Sequence, residues 1–222
     1  NFMGTLNLLE NFRVINNNIK FIFSSTDKVY GDSNKLPYNE QSLLNGINPY
    51  DASKVCADIL ARSYALSFKM NISVTRSVNI YGPGDVNWDR IFPGTIKTLI
   101  FNKKPIIRSN GKFLRDYIYI DDVVDGYIRI ARYMNTKYFK TGLAFNFGHN
   151  NPVSVIDIVK KILVKFNKNE KYFQVLNKSK NEIKDQYSDY KNAKKYLNWY
   201  PKTSLNEGLE KSIIWYKKNL RK

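Results

Sequence analysis

Apolar and polar positions along the chain follow two alternating periods. Phe21-Ile22-Phe23 and Ile72-Ser73-Val74 stand in short runs that end in polar residues, which predicts buried strands over 20–25 and 72–77. Helical spacing of apolar positions predicts helices over 2–16 and 51–68, the second separated from the first strand by a Pro-, Asn- and Gly-containing loop over 36–49. Beyond Pro83 and Gly84 the pattern gives a helix near 92–102 and short strands around 105–108 and 115–120. Asp121 is expected to cap a helix with Val124, Tyr127, Ile128, Ala131 and Met134 on one apolar stripe. A strand over 143–147 and helices near 154–166, 189–198 and 205–219 complete the chain. Strands alternating with helices predict an α/β fold with a parallel sheet. The chain shows no internal repeat and no low-complexity linker.

The first strand runs into Ser24-Ser25-Thr26-Asp27-Lys28-Val29-Tyr30-Gly31, and the long helix begins at Pro49-Tyr50-Asp51-Ala52-Ser53-Lys54. A hydroxyl, a carboxylate, two ammonium groups and a phenol therefore gather where one strand ends and one helix starts, the place where open parallel sheets hold their ligands. Tyr50 and Lys54, at i and i+4, share a helical face. The same spacing recurs at Tyr133/Lys137, Tyr187/Lys191 and Tyr190/Lys194, so spacing alone does not distinguish the first pair. Its context does, because a second strand end delivers Asn79-Ile80-Tyr81-Gly82-Pro83-Gly84 to the same region. A free tyrosine is a poor base at neutral pH; an ammonium within about 4 Å, at an effective dielectric near 20, supplies ~4 kcal/mol, or roughly three pK units. Lys54 is expected to acidify Tyr50 in this way. Asp27 and Lys28 would otherwise form a surface ion pair, Asn79 a turn residue, and Arg115 a partner of Asp116 or Asp122.

The stretches MGTLNLLE, SSTDKVYGD, NPYDASK, TRSVNIYGPGD, RDYIYIDDVVDGY, FNFG and KNAKKYLNWYPKTSLNEGLEKSIIWY together resemble the extended short-chain dehydrogenase/reductase family, in its nucleotide-sugar dehydratases and epimerases. Thr26-Asp27-Lys28 and GDVNWDRIFPGTI are most similar to CDP-glucose 4,6-dehydratases. The resemblance implies a Rossmann-like parallel sheet, mainly over 1–82, within a single domain whose residues 83–222 form mainly a smaller substrate-binding lobe with some returning sheet elements. It implies NAD as cofactor and a nucleotide-diphospho-hexose as substrate, dehydrated to the 4-keto-6-deoxy sugar. Tyr50 would take the proton of the sugar hydroxyl, Lys54 would hold the nicotinamide ribose with Tyr50, and Thr26 would bond the reacting oxygen. Asp27 would be the acid that releases water, and Lys28 the base at C5. Asn79, Arg90 and Arg115 would contact the substrate, Arg115 at the diphosphate. A 4-epimerase or reductase of the same family, or a non-catalytic sugar-nucleotide-binding fragment, are the competing readings. The first helix and 51–68 would pair across a homodimer interface.

A dinucleotide fingerprint needs closely spaced glycines between a first strand and a helix. No glycine set here has that spacing, and the expectation is a chain lacking an N-terminal mononucleotide-binding half.

Composition changes this picture little. With 222 residues and 43% hydrophobic content the chain can bury a substantial core. No apolar run approaches a membrane span and no signal peptide is evident, and Cys56 is the only cysteine, which together suggest a reducing cytoplasm. Cys56 is expected to be buried in helix packing, and His149 to be a loop residue, not a metal ligand. The formal charge of +17 raises nucleic-acid binding as a possibility, with 17 basic and 6 acidic residues between Lys160 and Lys222. The lysines interleave with Ile156, Val159, Ile162, Leu163 and Phe166, however, which is the pattern of a solvated helix face. No nucleic-acid motif accompanies them, so nucleic acid is not an expected partner; attraction of an anionic sugar nucleotide is the milder consequence.

Overall fold

The computed structural model describes residues 1–178 and 183–220. Strands β1 (Lys20–Ser24), β2 (Asn71–Ser77) and β7 (Ala144–Phe147) form a parallel sheet in the order β1-β2-β7. Ser24 stands opposite Thr75 and Ser77 opposite Phe147, so the three C-terminal ends lie along one edge. Helix α1 (Phe2–Ile15) precedes β1, α2 (Pro49–Ser67) crosses from β1 to β2, and α3 (Ile91–Ile100) follows β3 (Asn79–Tyr81). The chain continues through β4 (Ile106–Ile107), β5 (Leu114–Arg115), β6 (Tyr117–Tyr119) and α4 (Ile120–Tyr133). After β7 come β8 (Val153–Ser154), α5 (Val155–Lys165), β9 (Gln174–Val175), α6 (Lys191–Leu197) and α7 (Leu205–Asn219). The short pairs β3-β6 and β4-β9 are parallel and β5-β8 is antiparallel.

Alternation along the strands divides the core between the two faces of the sheet. Phe23, Ile72 and Val74 pack with Leu9, Ala57 and Ala61 beneath α1 and α2. On the other face Val78, Phe145 and Phe147 pack with Ile118, Ile130 and Trp199, beneath α4 and α6. A third cluster joins Tyr81 and Phe92 to Ile96, Ile162, Leu209 and Tyr216, and so unites α3, α5 and α7. Local signals set the ends of these helices. Ser154 accepts from the Asp157 amide and donates to its carboxylate at 2.6 Å, and Ser204 accepts from the Glu207 amide, both Ser-x-x-acid caps. Asn198 closes α6 in the left-handed region at φ 49°.

Three expectations are corrected and three short strands are added. Asp121 does not cap α4: β6 stays paired with β3 through Tyr119, which becomes the cap, and Asp121 and Asp122 fall in the first turn, where the helix dipole favours them. The buried face of α4 carries Val123, Gly126, Ile130 and Tyr133, while Val124 and Ile128 are exposed. The cause is Gly126, where an added Cβ would lie 2.5 Å from the Phe147 ring; contact is made through a residue that carries no apolar signal. Cys56 is exposed, because its turn of α2 presents Cys56, Ile59, Ser63 and Leu66 outward, opposite Ala57, Ala61 and Ala65. Finally, β3, β8 and β9 are strands of two or three residues, too short to leave a periodic signature. The lysine-flanked helix is as expected, with Ile158, Val159, Ile162 and Leu163 of α5 buried.

Candidate active site

At the end of β1 the Ser25 amide still bonds the Thr75 carbonyl at 2.8 Å, after which the chain turns into a single 3-10 turn over Asp27–Tyr30. Thr26 starts that turn: its hydroxyl accepts from the Lys28 amide at 3.3 Å and donates to Asp27 Oδ1 at 3.2 Å. The turn ends at Gly31 (φ 69°), where a Cβ would collide with the Asn45 carbonyl at 2.2 Å. Asp27 is buried, and its Oδ2 has no hydrogen-bond partner among the described residues. Burial pushes its carboxyl up to about 6, although Lys28, the Thr26 hydroxyl and Arg115 all pull the other way. Asp27 and Lys28 are therefore not a solvated surface pair; the carboxylate faces inward and Lys28 is half-buried.

Helix α2 brings in the second set. Asn48 precedes it, Pro49 supplies a preset first φ, and Tyr50 lies half-exposed in the first turn. One turn on, the Lys54 ammonium donates to the Ser24 carbonyl at 2.8 Å and lies 5.3 Å from the Phe23 ring centre. Burial lowers the Lys54 pKa, against the attraction of Asp58. The Tyr50 phenol is raised above its ordinary value by partial burial and by the Asp51 and Asp27 carboxylates, with Arg90 acting against them. The expected acidification of Tyr50 by Lys54 is thus not the arrangement found. An i, i+4 pair brings Cβ atoms to about 5–6 Å, and from there the lysine reaches the strand-end carbonyl and not the phenol.

The remaining candidates surround this pair. Arg90 caps α3, forms an exposed ion pair with Asp85 at 3.0 Å, and is close enough to bias Tyr50. Asn79 begins β3, and its side-chain amide donates to the Asp116 carbonyl at 3.1 Å. Arg115 stands opposite Val153 and donates to the carbonyls of Leu114, Ile183 and Lys184, while its charge acts on Asp27. Thr26, Asp27, Lys28, Tyr50, Arg90 and Arg115 are therefore coupled in one region. Lys54 joins them through Ser24, and Asn79 through Asp116. His149 lies in the loop after β7, with Nε2 3.0 Å from the Thr203 carbonyl.

Two functional supports escaped the sequence reading. Asp116 is fully buried, accepts from the amides of Tyr117 and Asn150 at 3.0 and 2.8 Å, and is pushed by burial to about 7. Its neighbour Arg115 drew attention away from it. Tyr30 is the other: its hydroxyl donates to Asn146 Oδ1 at 2.6 Å and accepts from Arg76, which fastens the 3-10 turn to β2 and β7. Only the Tyr in SSTDKVYGD and the Asn in FNFG hinted at that link. A cavity of about 440 Å³ borders Gly31, Asp32, Asn45, Asn48, Asp51 and Ile183, beside the start of α2, and is lined by neither Asp27 nor Tyr50. No cluster of metal-holding side chains occurs among the described residues, and none of the described helices is long and apolar enough to cross a membrane.

Comparison with known proteins agrees with this geometry. A family model described as GDP-mannose 4,6 dehydratase matches residues 1–212. The dTDP-D-glucose 4,6-dehydratase of Dictyostelium discoideum is 34% identical over 266 residues, covering 99% of this chain and 59% of that protein. The dTDP-D-glucose 4,6-dehydratase of Homo sapiens is 33% identical over 215 residues, covering 90% of this chain and 57% of that protein. The chain thus spans less than two thirds of the length of either relative. Among solved structures, a dTDP-glucose 4,6-dehydratase from Bacillus anthracis in complex with NAD superimposes with a TM-score of 0.88 at 26% identity, over 98% of this chain and 68% of that one. A UDP-glucuronic acid 4-epimerase from Bacillus cereus, in complex with UDP-glucuronic acid and NAD, gives a TM-score of 0.88 at 29% identity, over 98% and 67% of the two chains.

Proposed function

This chain belongs to the GDP-mannose 4,6-dehydratase family, and we propose that it carries the catalytic residues of an NAD-dependent nucleotide-sugar 4,6-dehydratase. The observation that carries the reading is the state of Asp27, a buried carboxyl raised to about 6 beside Thr26, Lys28 and Tyr50. A general acid must hold a proton near neutral pH, and burial provides that. An epimerase of the same family would need the tyrosine but no such acid.

The residues present fit the nicotinamide-ribose end of NAD. Lys54 is fixed at the strand end by Ser24, and the half-exposed Tyr50 one turn before it offers a hydroxyl to the same ligand. NAD, when bound, supplies the acceptor for the electrons of the C4–H bond and returns them later at C6. Tyr50 is assigned the C4 hydroxyl proton, and Thr26 would hold that oxygen in place. The tyrosine's role needs its phenol, raised by burial and by Asp51 and Asp27, to be brought down by the positive charge of the nicotinamide when NAD is bound. With C4 a ketone, the C5 proton becomes acidic; Lys28, in its neutral amine form, would take that proton and return it to C5 when the electrons come back at C6. Asp27 delivers its proton to the C6 hydroxyl, which departs as water. Asn79 and Arg115 hold the substrate beyond the reacting carbons, Arg115 at the diphosphate, with Arg90 as an outer contact.

Thr26-Asp27-Lys28 favours CDP-glucose as the substrate by its sequence resemblance, while the Dictyostelium and human relatives are dTDP-D-glucose 4,6-dehydratases. The test incubates the protein with NAD and each of CDP-, dTDP- and UDP-glucose, with detection of 4-keto-6-deoxy product. Product that disappears in Asp27→Asn supports the reading; 4-epimer formed equally by both proteins refutes it. A homodimer through the outward faces of α1 and α2 is part of the same proposal, supported by exposed Leu8 and Ile15 on one helix and Ile59 and Leu66 on the other. A reducing cytoplasmic setting accords with the single thiol.

A further inference from the structure

At the opposite end of the sheet from these residues, the last turn of α4, the loop over 134–143 and the outer side of α6 enclose a cleft of about 560 Å³. That volume is within the range of small-molecule sites, about 300–1,000 Å³. Its walls are aromatic: Tyr133 and Phe139 meet edge to face at 5.5 Å, and Tyr133 and Tyr196 lie 6.1 Å apart. Its charge is entirely positive. The Lys140 and Lys195 ammonium groups lie 6.0 and 5.1 Å from the centre of the Tyr196 ring, and that of Lys137 lies 5.3 Å from the ring of Tyr138. Among the described residues none of these three ammonium groups has a carboxylate partner, whereas Lys165, Lys191, Lys202 and Lys211 on neighbouring surfaces all do.

The loop that forms the cleft is fixed in shape. The Tyr133 hydroxyl donates to the Tyr138 carbonyl at 3.0 Å and accepts from the Lys140 amide at 3.1 Å, and the Thr136 hydroxyl bonds the Tyr133 carbonyl at 2.9 Å. A preformed cleft loses little ordering entropy on binding. Flat aromatic faces suit a planar ring, and gathered, unneutralised ammonium groups suit a phosphate. Only a ligand carrying both satisfies the two halves of the cleft. From this we infer that the chain has a second binding site, remote from the candidate active site and independent of the function proposed above, that takes a nucleoside phosphate: base against Tyr138 or Tyr196, phosphate among Lys137, Lys140 and Lys195.

The test is a titration of the full chain with ADP, with pyrophosphate and with a short single-stranded oligonucleotide, followed by calorimetry and by amide chemical shifts. ADP is expected to shift resonances of residues 133–140 and 195–196, with affinity falling as salt is raised. Lys140→Glu combined with Lys195→Glu should weaken this binding by about tenfold or more. Lys161→Glu combined with Lys218→Glu, an equal charge change at exposed positions elsewhere, should leave it unchanged. Tyr138→Ser, at a side chain 70% exposed, tests the stacking contact without disturbing the core on which Tyr196 rests. Shifts confined to residues 24–31 and 50–54, equal binding of pyrophosphate and ADP, or tighter binding of the oligonucleotide than of ADP would each overturn the inference.

Discussion

Arg76 of β2 and Asp58 of α2 meet in a two-pronged ion pair, Nη2 to Oδ1 at 2.7 Å and Nε to Oδ2 at 2.9 Å, with both side chains fully buried. The guanidinium also reaches the Tyr30 hydroxyl at 3.1 Å and the Glu40 carbonyl at 3.4 Å. One residue therefore ties the helix that carries Tyr50 and Lys54 to the turn that carries Asp27 and Lys28. Removing either charge leaves the other desolvated and alone. Asp58→Ala is expected to cost about 3–5 kcal/mol of unfolding free energy, whereas replacing Asp58 and Arg76 together by apolar residues of similar size should cost much less. Urea unfolding of both variants checks this.

Asp27 sets stability against activity. Its ordinary value of 3.8 rises to about 6 in the folded chain, so between these limits the folded state binds the proton more tightly than the unfolded one. Stability therefore falls as pH rises from about 4 to about 6 and stays lower above that. Asp27→Asn removes the penalty and is expected to be the more stable protein at pH 8, by about 3 kcal/mol, with the difference vanishing below pH 4. The same substitution should lower dehydration by about 10²–10⁴-fold, and wild-type turnover should decline above pH ~6 as the acid loses its proton. Unfolding curves at the two pH values and a pH–rate profile measure both effects.

Leu66 is 66% exposed on the stripe that Ile59 shares. If two copies meet there, Leu66→Glu will place a charge in an apolar contact and yield monomer by light scattering, with an unchanged circular dichroism spectrum. Unchanged mass would remove the dimer from the proposal.

Gly126→Ala is expected to destabilise the protein by about 1–3 kcal/mol. An added methyl carbon would stand 2.5, 2.7 and 3.0 Å from three carbons of the Phe147 ring, and that ring is itself held against Trp199 at 4.7 Å. Thermal unfolding measures the loss.

The α/β order and most long elements were legible in the sequence, because helices such as α2 and α5 repeat their apolar spacing over several turns and β2 alternates Ile72 and Val74 with polar residues. What misled were contacts made by residues without a hydrophobic signature. Gly126 placed the buried face of α4 where the apolar stripe did not, and small alanines turned Cys56 outward. In the site, the residues that gather at the strand ends were visible from Thr26, Asp27, Tyr50 and Lys54, since strand ends and helix starts are local features. The direction of a long side chain is not local. Lys54 had two acceptors within reach, a phenol on its own helix and a carbonyl on β1, and the sequence spacing describes only the first. Asp116 was missed for a similar reason: its carboxylate is satisfied by amides, one of them from Asn150 in a distant loop.

The bond from Lys54 to Ser24 carries a consequence for ligand recognition. A cation already resting on a strand-end oxygen is not idle charge waiting for any anion; a newcomer must present oxygens that outcompete the backbone, or share the ammonium's remaining protons with it. A cis-diol can do so by offering two oxygens at once, whereas a lone hydroxyl brings no advantage over the carbonyl. If Lys54 holds the ribose as proposed, the resting contact would act as an internal reference ligand, and discrimination between a sugar ring and bulk water would be built into the first step of association.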